Sequence, residues 1–170
     1  MAGRNPRLIL MPHKEGFKKL IKEHLPYSNA KICGIEIGCF KGEFCCSLLE
    51  EFDNLSMITI DPSPFWLDVI QHKVMNRLWI INLPSDIAIN LLRLDNRLYD
   101  FLFIDGDHSY EQCKKDIMNY YHLVKDGGIV AGHNYHKDPN SAHPGVHKAV
   151  DEIFDNKVNF QSDYIWWIKK

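Results

Sequence analysis

The sequence has no long apolar run. Its first residues offer only Leu8 to Met11 before Pro12 interrupts them, too short for a signal-peptide core or a membrane span. A cytoplasmic protein without a membrane partner is expected. One-signed charge is missing too. Acids and bases are interspersed to a formal net charge of -2, with no basic block or stripe of the kind that neutralises phosphates, so nucleic acid is not an expected partner. Cysteine is scarce and unsuited to a framework. The five cysteines are odd in number, Cys45 and Cys46 are adjacent, and no C-x-x-C pair occurs, which argues against disulfides, zinc and redox chemistry alike. They read as small hydrophobes.

What is present is a recurring alternation. Short apolar runs at Lys31 to Ile37, Ser56 to Ile60, Leu78 to Asn82, Tyr99 to Ile104 and Gly127 to Ala131 are rich in Ile, Leu, Val or Phe, as in parallel strands buried on both faces. Between them lie helix patterns near Gly42 to Glu51, Pro64 to Met75, Pro84 to Leu94 and Tyr110 to Leu123. That order predicts an α/β protein with a doubly wound sheet. A further helix near Gly145 to Phe154 precedes two runs, Val158 to Gln161 and Tyr164 to Ile168, parted only by Ser162 and Asp163. Two residues cannot hold a crossover helix, so these last strands pair as an antiparallel hairpin. With 170 residues, 45% of them apolar, the chain fits one domain: an N-terminal segment over residues 1–28 carrying a basic amphipathic helix at His13 to Leu25, and a core over residues 31–170.

The strongest local signal is Ile35-Glu36-Ile37-Gly38-Cys39-Phe40-Lys41-Gly42, a strand running into a glycine turn and a helix. Ligands in open parallel sheets sit at the carboxyl ends of strands. Gly38 lets the backbone approach closely there, and Gly42 relieves the helix entry. The spacing is G-x-x-x-G, not the G-x-G-x-x-G that cradles a pyrophosphate. Glu36 suits the ammonium of an amino-acid ligand better than a diphosphate. Asp61, ending the second strand, can accept both ribose hydroxyls of an adenosine; the plainer reading is an Asp-Pro turn. Ser85-Asp86 opens a helix where an adenine edge would fall, or simply caps it. The stretch Tyr99 to Tyr110 gathers Asp105, Asp107, His108 and Ser109 at the end of an apolar strand. Asp105 and Asp107 are close enough in sequence to repel and to invite a cation or proton, and His108 is a candidate base; alternatively Asp107 or Ser109 caps the next helix. His143 and His147 have i,i+4 spacing, but Pro144 and Gly145 interrupt it, and no second ligand pair supports zinc. Tyr164 to Trp167 reads as edge-strand packing.

These residues carry a resemblance. Glu36-Ile37-Gly38 with Gly42, Phe103-Ile104-Asp105-Gly106-Asp107-His108-Ser109-Tyr110, Asp116, Lys125-Asp126-Gly127-Gly128, Gly132-His133-Asn134-Tyr135, and Pro144-Gly145-Val146 before Ala149-Val150-Asp151 resemble the class I methyltransferases, and within them methyltransferase family 24, which contains the macrocin-type sugar O-methyltransferases. The likeness covers about Lys31 to Phe154. It implies a Rossmann-like, mostly parallel seven-stranded sheet, S-adenosylmethionine as methyl donor, and a small hydroxylated acceptor such as a sugar. In that family the loop after the fifth strand usually reads Gly-His-Asp-Tyr; here Asn134 replaces the Asp. Macrocin-type and catechol-type members hold magnesium with acidic residues after strands four and five, so the resemblance implies Mg2+ facing Asp105, His133 and Asn134.

The donor is accordingly assigned to Glu36, Gly38, Lys41, Gly42, Asp61, Ser85 and Asp105, with His108 and His133 as candidate bases that sequence does not rank. Two other classes compete. A nicotinamide-dependent oxidoreductase fits the sheet and Asp61 but not the glycine spacing. A non-catalytic binding module would keep the donor pocket and lack the chemistry. The short N-terminal segment leaves the acceptor side either open or covered by a neighbouring subunit of a homo-oligomer.

Overall fold

A computed structural model describes residues 12–25, 30–63, 74–138, 140–161 and 163–170. Seven strands form one sheet in the order β3-β2-β1-β4-β5-β7-β6: β1 (Ile32–Ile37), β2 (Leu55–Ile60), β3 (Leu78–Ile81), β4 (Tyr99–Ile104), β5 (Val124–Gly132), β6 (Asn159–Phe160) and β7 (Trp166–Lys169). The first five run parallel, while β7 is antiparallel to both β5 and β6. Strand order reverses between β1 and β4. Connections leave on opposite faces there, which opens a crevice at the carboxyl ends of those two strands.

The predicted hairpin is present but shorter than expected. Its strands are parted by five residues, because Tyr164 takes a left-handed conformation, φ 64°, and its carbonyl accepts the Tyr135 N–H from the loop after β5 at 3.0 Å. Nor does β7 lie at an edge. It sits between β5 and β6 with Trp166 fully buried. The helix expected over Pro64 to Met75 falls mostly outside the described residues, as does Leu8 to Met11.

Helices cover both faces. On one, α1 (Pro12–His24) and α2 (Glu43–Glu51) pack over the sheet. Phe17, Leu20 and Ile21 follow i, i+3, i+4 spacing and are all buried, the stripe that fastens an amphipathic helix. Each such burial stabilises by about 1.5–3 kcal/mol. Phe17 lies edge-on to Phe101 at 5.2 Å and against Phe103 at 4.8 Å. The Phe101 ring in turn occupies the space over Gly34, where an added Cβ would come within 2.0 Å of it; Gly34→Ala would force this aromatic layer apart. On the other face, α3 (Ser85–Leu94), α4 (Tyr110–Tyr120) and α5 (Pro144–Phe154) cover Ile35, Leu102 and Val130. Every described strand-to-helix turn of the parallel part therefore points into the same crevice.

Candidate active site

The crevice encloses a cavity of about 720 Å³. Of the residues assigned from sequence, Glu36, Gly38, Lys41, Asp61, Ser85, Asp105, His108, His133 and Asn134 line it. Gly42 does not. It caps α2 at φ 74°, and its carbonyl accepts the Cys46 N–H at 3.0 Å, so its glycine relieves the helix entry as expected. Gly38 has φ 90°, and a Cβ there would stand 2.2 Å from the Asp105 carbonyl oxygen. Its smallness is thus required by the crossing of two strand ends.

At one end Glu36 is buried, with Thr59 Oγ1 donating to its Oε2 at 2.7 Å. Burial, with Cys39 adding, raises its pKa well above the ordinary range against the Thr59 hydrogen bond. Asp61 Oδ2 accepts the Phe40 N–H at 2.7 Å and Oδ1 accepts the Ser63 N–H at 2.7 Å. The carboxylate thereby ties the β1 turn to the β2 turn, and Asp61 lines the cavity. Ser85 Oγ donates to Asp116 Oδ1 at 2.6 Å, and Gln112 Nε2 donates to both of them at 3.1 and 3.0 Å. Burial lifts Asp116 to about 6 despite these bonds.

At the other end Asp105 receives three side chains. His108 Nε2 is 3.3 Å from Oδ1, His133 Nδ1 is 3.5 Å from Oδ2, and Asn134 Nδ2 is 3.4 Å from Oδ1. Burial alone would raise the Asp105 carboxyl, but hydrogen bonds and charge from His108 and His133 hold it well below the carboxylate range. Asp107 takes no part in this group. It is exposed, its Oδ1 accepts the Ser109 N–H at 2.7 Å, and Ser109 caps α4 by accepting from the Gln112 N–H. These bonds fit the capping alternative for Asp107 and Ser109. The loop after β5 is held by Tyr135, buried, whose hydroxyl donates to Asp151 on α5 at 2.5 Å. His147 binds the same Asp151 at 2.7 Å while His143 stacks near His108, ring centres 4.2 Å apart; the two histidines at helical spacing serve different partners.

Asp105, His133 and Asn134 do come together, but they do not fit magnesium. Asp105 is the one carboxylate among them, both its oxygens face imidazole nitrogens, and Asn134 turns its amide nitrogen inward. A hard cation needs oxygen ligands.

Sequence reading missed His13, Gln112 and gave Asp116 no role. His13 stands in the first turn of α1 with its ring 4.3 Å from that of His133 and stacked on Phe44 at 5.9 Å. Burial, then His133, lowers its pKa to about 4. Nothing in its local sequence marks it, because α1 meets the loop after β5 only in three dimensions. Asp116 did leave a signal: it shares the buried stripe of α4 with Cys113, Ile117 and Tyr120, and an acid in an apolar stripe asks for partners.

A sequence search of curated proteins finds no match. Among solved structures, an O-methyltransferase from Bacillus cereus, crystallised with S-adenosylhomocysteine, has a TM-score of 0.69 at 16% identity over 94% of this chain and 81% of that one. A TDP-rhamnose 3'-O-methyltransferase of calicheamicin biosynthesis gives 0.68 at 12% identity over 94% and 79%. The methyltransferase of the mycinamycin pathway, in complex with Mg and S-adenosylhomocysteine, gives 0.67 at 12% identity over 92% and 48%. At such identities these likenesses establish the fold. Residues 35–135 match a family model described as a methyltransferase domain. That match spans more than half of the chain and contains both ends of the cavity, so the chain belongs to methyltransferase family 24, enzymes of the S-adenosylmethionine-dependent class I fold.

Proposed function

We propose that this chain transfers a methyl group from S-adenosylmethionine to a hydroxyl of a small acceptor such as a sugar. The observation that carries the reading is the polarity of one cavity: Glu36, Asp61 and the Ser85–Asp116 pair at one end, and imidazoles around Asp105 at the other. Glu36 answers the donor's ammonium, Asp61 its ribose hydroxyls, and Ser85 its base edge. That two of the relatives above were solved with S-adenosylhomocysteine supports the donor, and the TDP-rhamnose enzyme supports a sugar-like acceptor.

Methyl transfer from a sulfonium needs in-line alignment and removal of the acceptor's proton. The geometry favours His133 for the second task. With Nδ1–H directed to Asp105 Oδ2, the His133 Nε2 lone pair is available to a hydroxyl. His108 Nε2 is already engaged by the Asn134 amide at 2.7 Å and by Asp105 Oδ1 at 3.3 Å. His133 would take the acceptor proton while Asp105 stabilises the resulting imidazolium, the nucleophilic oxygen attacks the methyl carbon, and S-adenosylhomocysteine leaves. No step is assigned to a metal.

Calorimetry with S-adenosylhomocysteine and, separately, NAD tests the donor, and turnover on a panel of hydroxylated compounds tests transfer. Binding of the first and not the second is expected. Tight NAD binding alone would sink the reading, and donor binding without turnover on any acceptor would leave a binding module.

A further inference from the structure

A different donor set lies behind the turn after β1. One ligand atom each from Glu36, Cys39 and Cys45 lie within 4.8 Å of one another, and among the described residues no other group of three His, Cys, Asp or Glu side chains meets that spacing. All three are buried. The two sulfurs are 4.0 Å apart. Two thiolates bound to one tetrahedral zinc at about 2.3 Å each stand about 3.8 Å apart, whereas a disulfide draws its sulfurs to about 2.05 Å. The observed spacing is a thiol–thiol hydrogen-bond contact, close to the first value and far from the second. Cys45 is the third residue of α2, and its thiol donates to the Gly42 carbonyl at 3.2 Å, a proton that a metal ion would displace. Thr59 engages Oε2 of Glu36, and the Cys45 thiol is a further hydrogen-bond neighbour of the same carboxyl. Glu36 and Cys39 line the cavity and Cys45 does not, so the open side of the trio faces the cavity.

We infer that Glu36, Cys39 and Cys45 form a binding site for a soft divalent cation such as Zn2+ or Cd2+, whose fourth coordination position opens into the space of the methyl donor's amino-acid end. Thiolate ligands select such cations over magnesium or calcium. On binding, each thiol and the Glu36 carboxyl give their protons to solvent as the sulfur–metal and oxygen–metal bonds form. The ion then occupies Glu36, the carboxylate that would meet the donor's ammonium, so cation and donor exclude each other; this exclusion rests on the proposed donor placement, while the coordination itself does not. Chain spacing conceals the site, since five residues separate Cys39 from Cys45 and Glu36 arrives from the strand.

Cd2+ titrated into the full, reduced, metal-free chain, without donor, should produce an ultraviolet thiolate-to-cadmium charge-transfer band saturating near about one ion per chain. Cys39→Ser and Cys45→Ser should each abolish it, and Cys113→Ser, in the core on the opposite face of the sheet, should retain it. Should a variant misfold by circular dichroism, the wild type decides: Cd2+ should protect Cys39 and Cys45 from alkylation, mapped by peptide mass spectrometry. Absence of the band, or its persistence in a folded Cys39→Ser/Cys45→Ser double variant, overturns the site. Calorimetry then reads the exclusion. Saturating Zn2+ should weaken S-adenosylhomocysteine about tenfold or more, and an unchanged affinity overturns the exclusion. Failure of S-adenosylhomocysteine to bind the metal-free chain counts against the donor reading alone, because the band is read without it.

Discussion

Asn134 Nδ2 stands 2.7 Å from His108 Nε2 and 3.4 Å from Asp105 Oδ1. His108 Nε2 also stands 3.3 Å from Asp105 Oδ1, so this ring nitrogen is engaged on two sides whichever tautomer it holds. Asn134 has a left-handed backbone, φ 60°, which asparagine tolerates better than most residues. The substitution of Asn for the family's Asp therefore exchanges an oxygen ligand for a hydrogen-bond donor, and it ranks the two histidines.

His133→Ala should lower kcat by about 100-fold or more, the usual contribution of a general base, with donor affinity unchanged. His108→Ala should cost less than about tenfold. Steady-state kinetics on the first active acceptor decides between them, and the reverse ranking would assign the base to His108.

Excess chelator should leave methyl transfer intact, since Asp105 is the one carboxylate in its group. Activity abolished by chelator and restored by Mg2+ would return the metal to the site. A rise in activity would instead be the trace of a soft cation removed from Glu36, Cys39 and Cys45.

Asp61→Ala should weaken S-adenosylhomocysteine by about 1.5–3 kcal/mol, the worth of hydrogen bonds to a charged acceptor. It should also lower Tm, because the same carboxylate accepts the Phe40 and Ser63 N–H groups. A fall in Tm without loss of affinity would reassign Asp61 to the turn alone.

Asp116→Asn should change how stability depends on pH. Burial raises Asp116 from 3.8 to about 6, so the folded protein holds this proton where the unfolded chain has released it. The stabilisation is fully present below 3.8 and is lost as pH rises through about 6. Asparagine stays neutral, and the stability of the variant relative to wild type should climb by about 3 kcal/mol across that window and then level off. His13, lowered to about 4, contributes with the opposite sign as pH falls from 6.5, and it cancels in the difference. Denaturant melts at a series of pH values measure this; a flat difference would show Asp116 ionised throughout.

The sheet was legible because each parallel strand is a short apolar run ending in a turn residue, a pattern set by two-faced burial. The glycine turn, Asp61 and the ends of β4 and β5 were legible for the same reason, as strand ends must face the crevice. The length of the last hairpin was not, since Tyr164 is claimed by Tyr135 across the fold. Local sequence determined the fold class, the family and which strand ends carry the site. Only the tertiary structure decided that Asp107 braces a helix, that Asp105 gathers imidazoles and an amide, that His13 joins them from α1, and that Glu36 meets two thiols. Those outcomes depend on distances between segments far apart in the chain, and side-chain direction at a turn depends on the partner that reaches it, which no local pattern encodes.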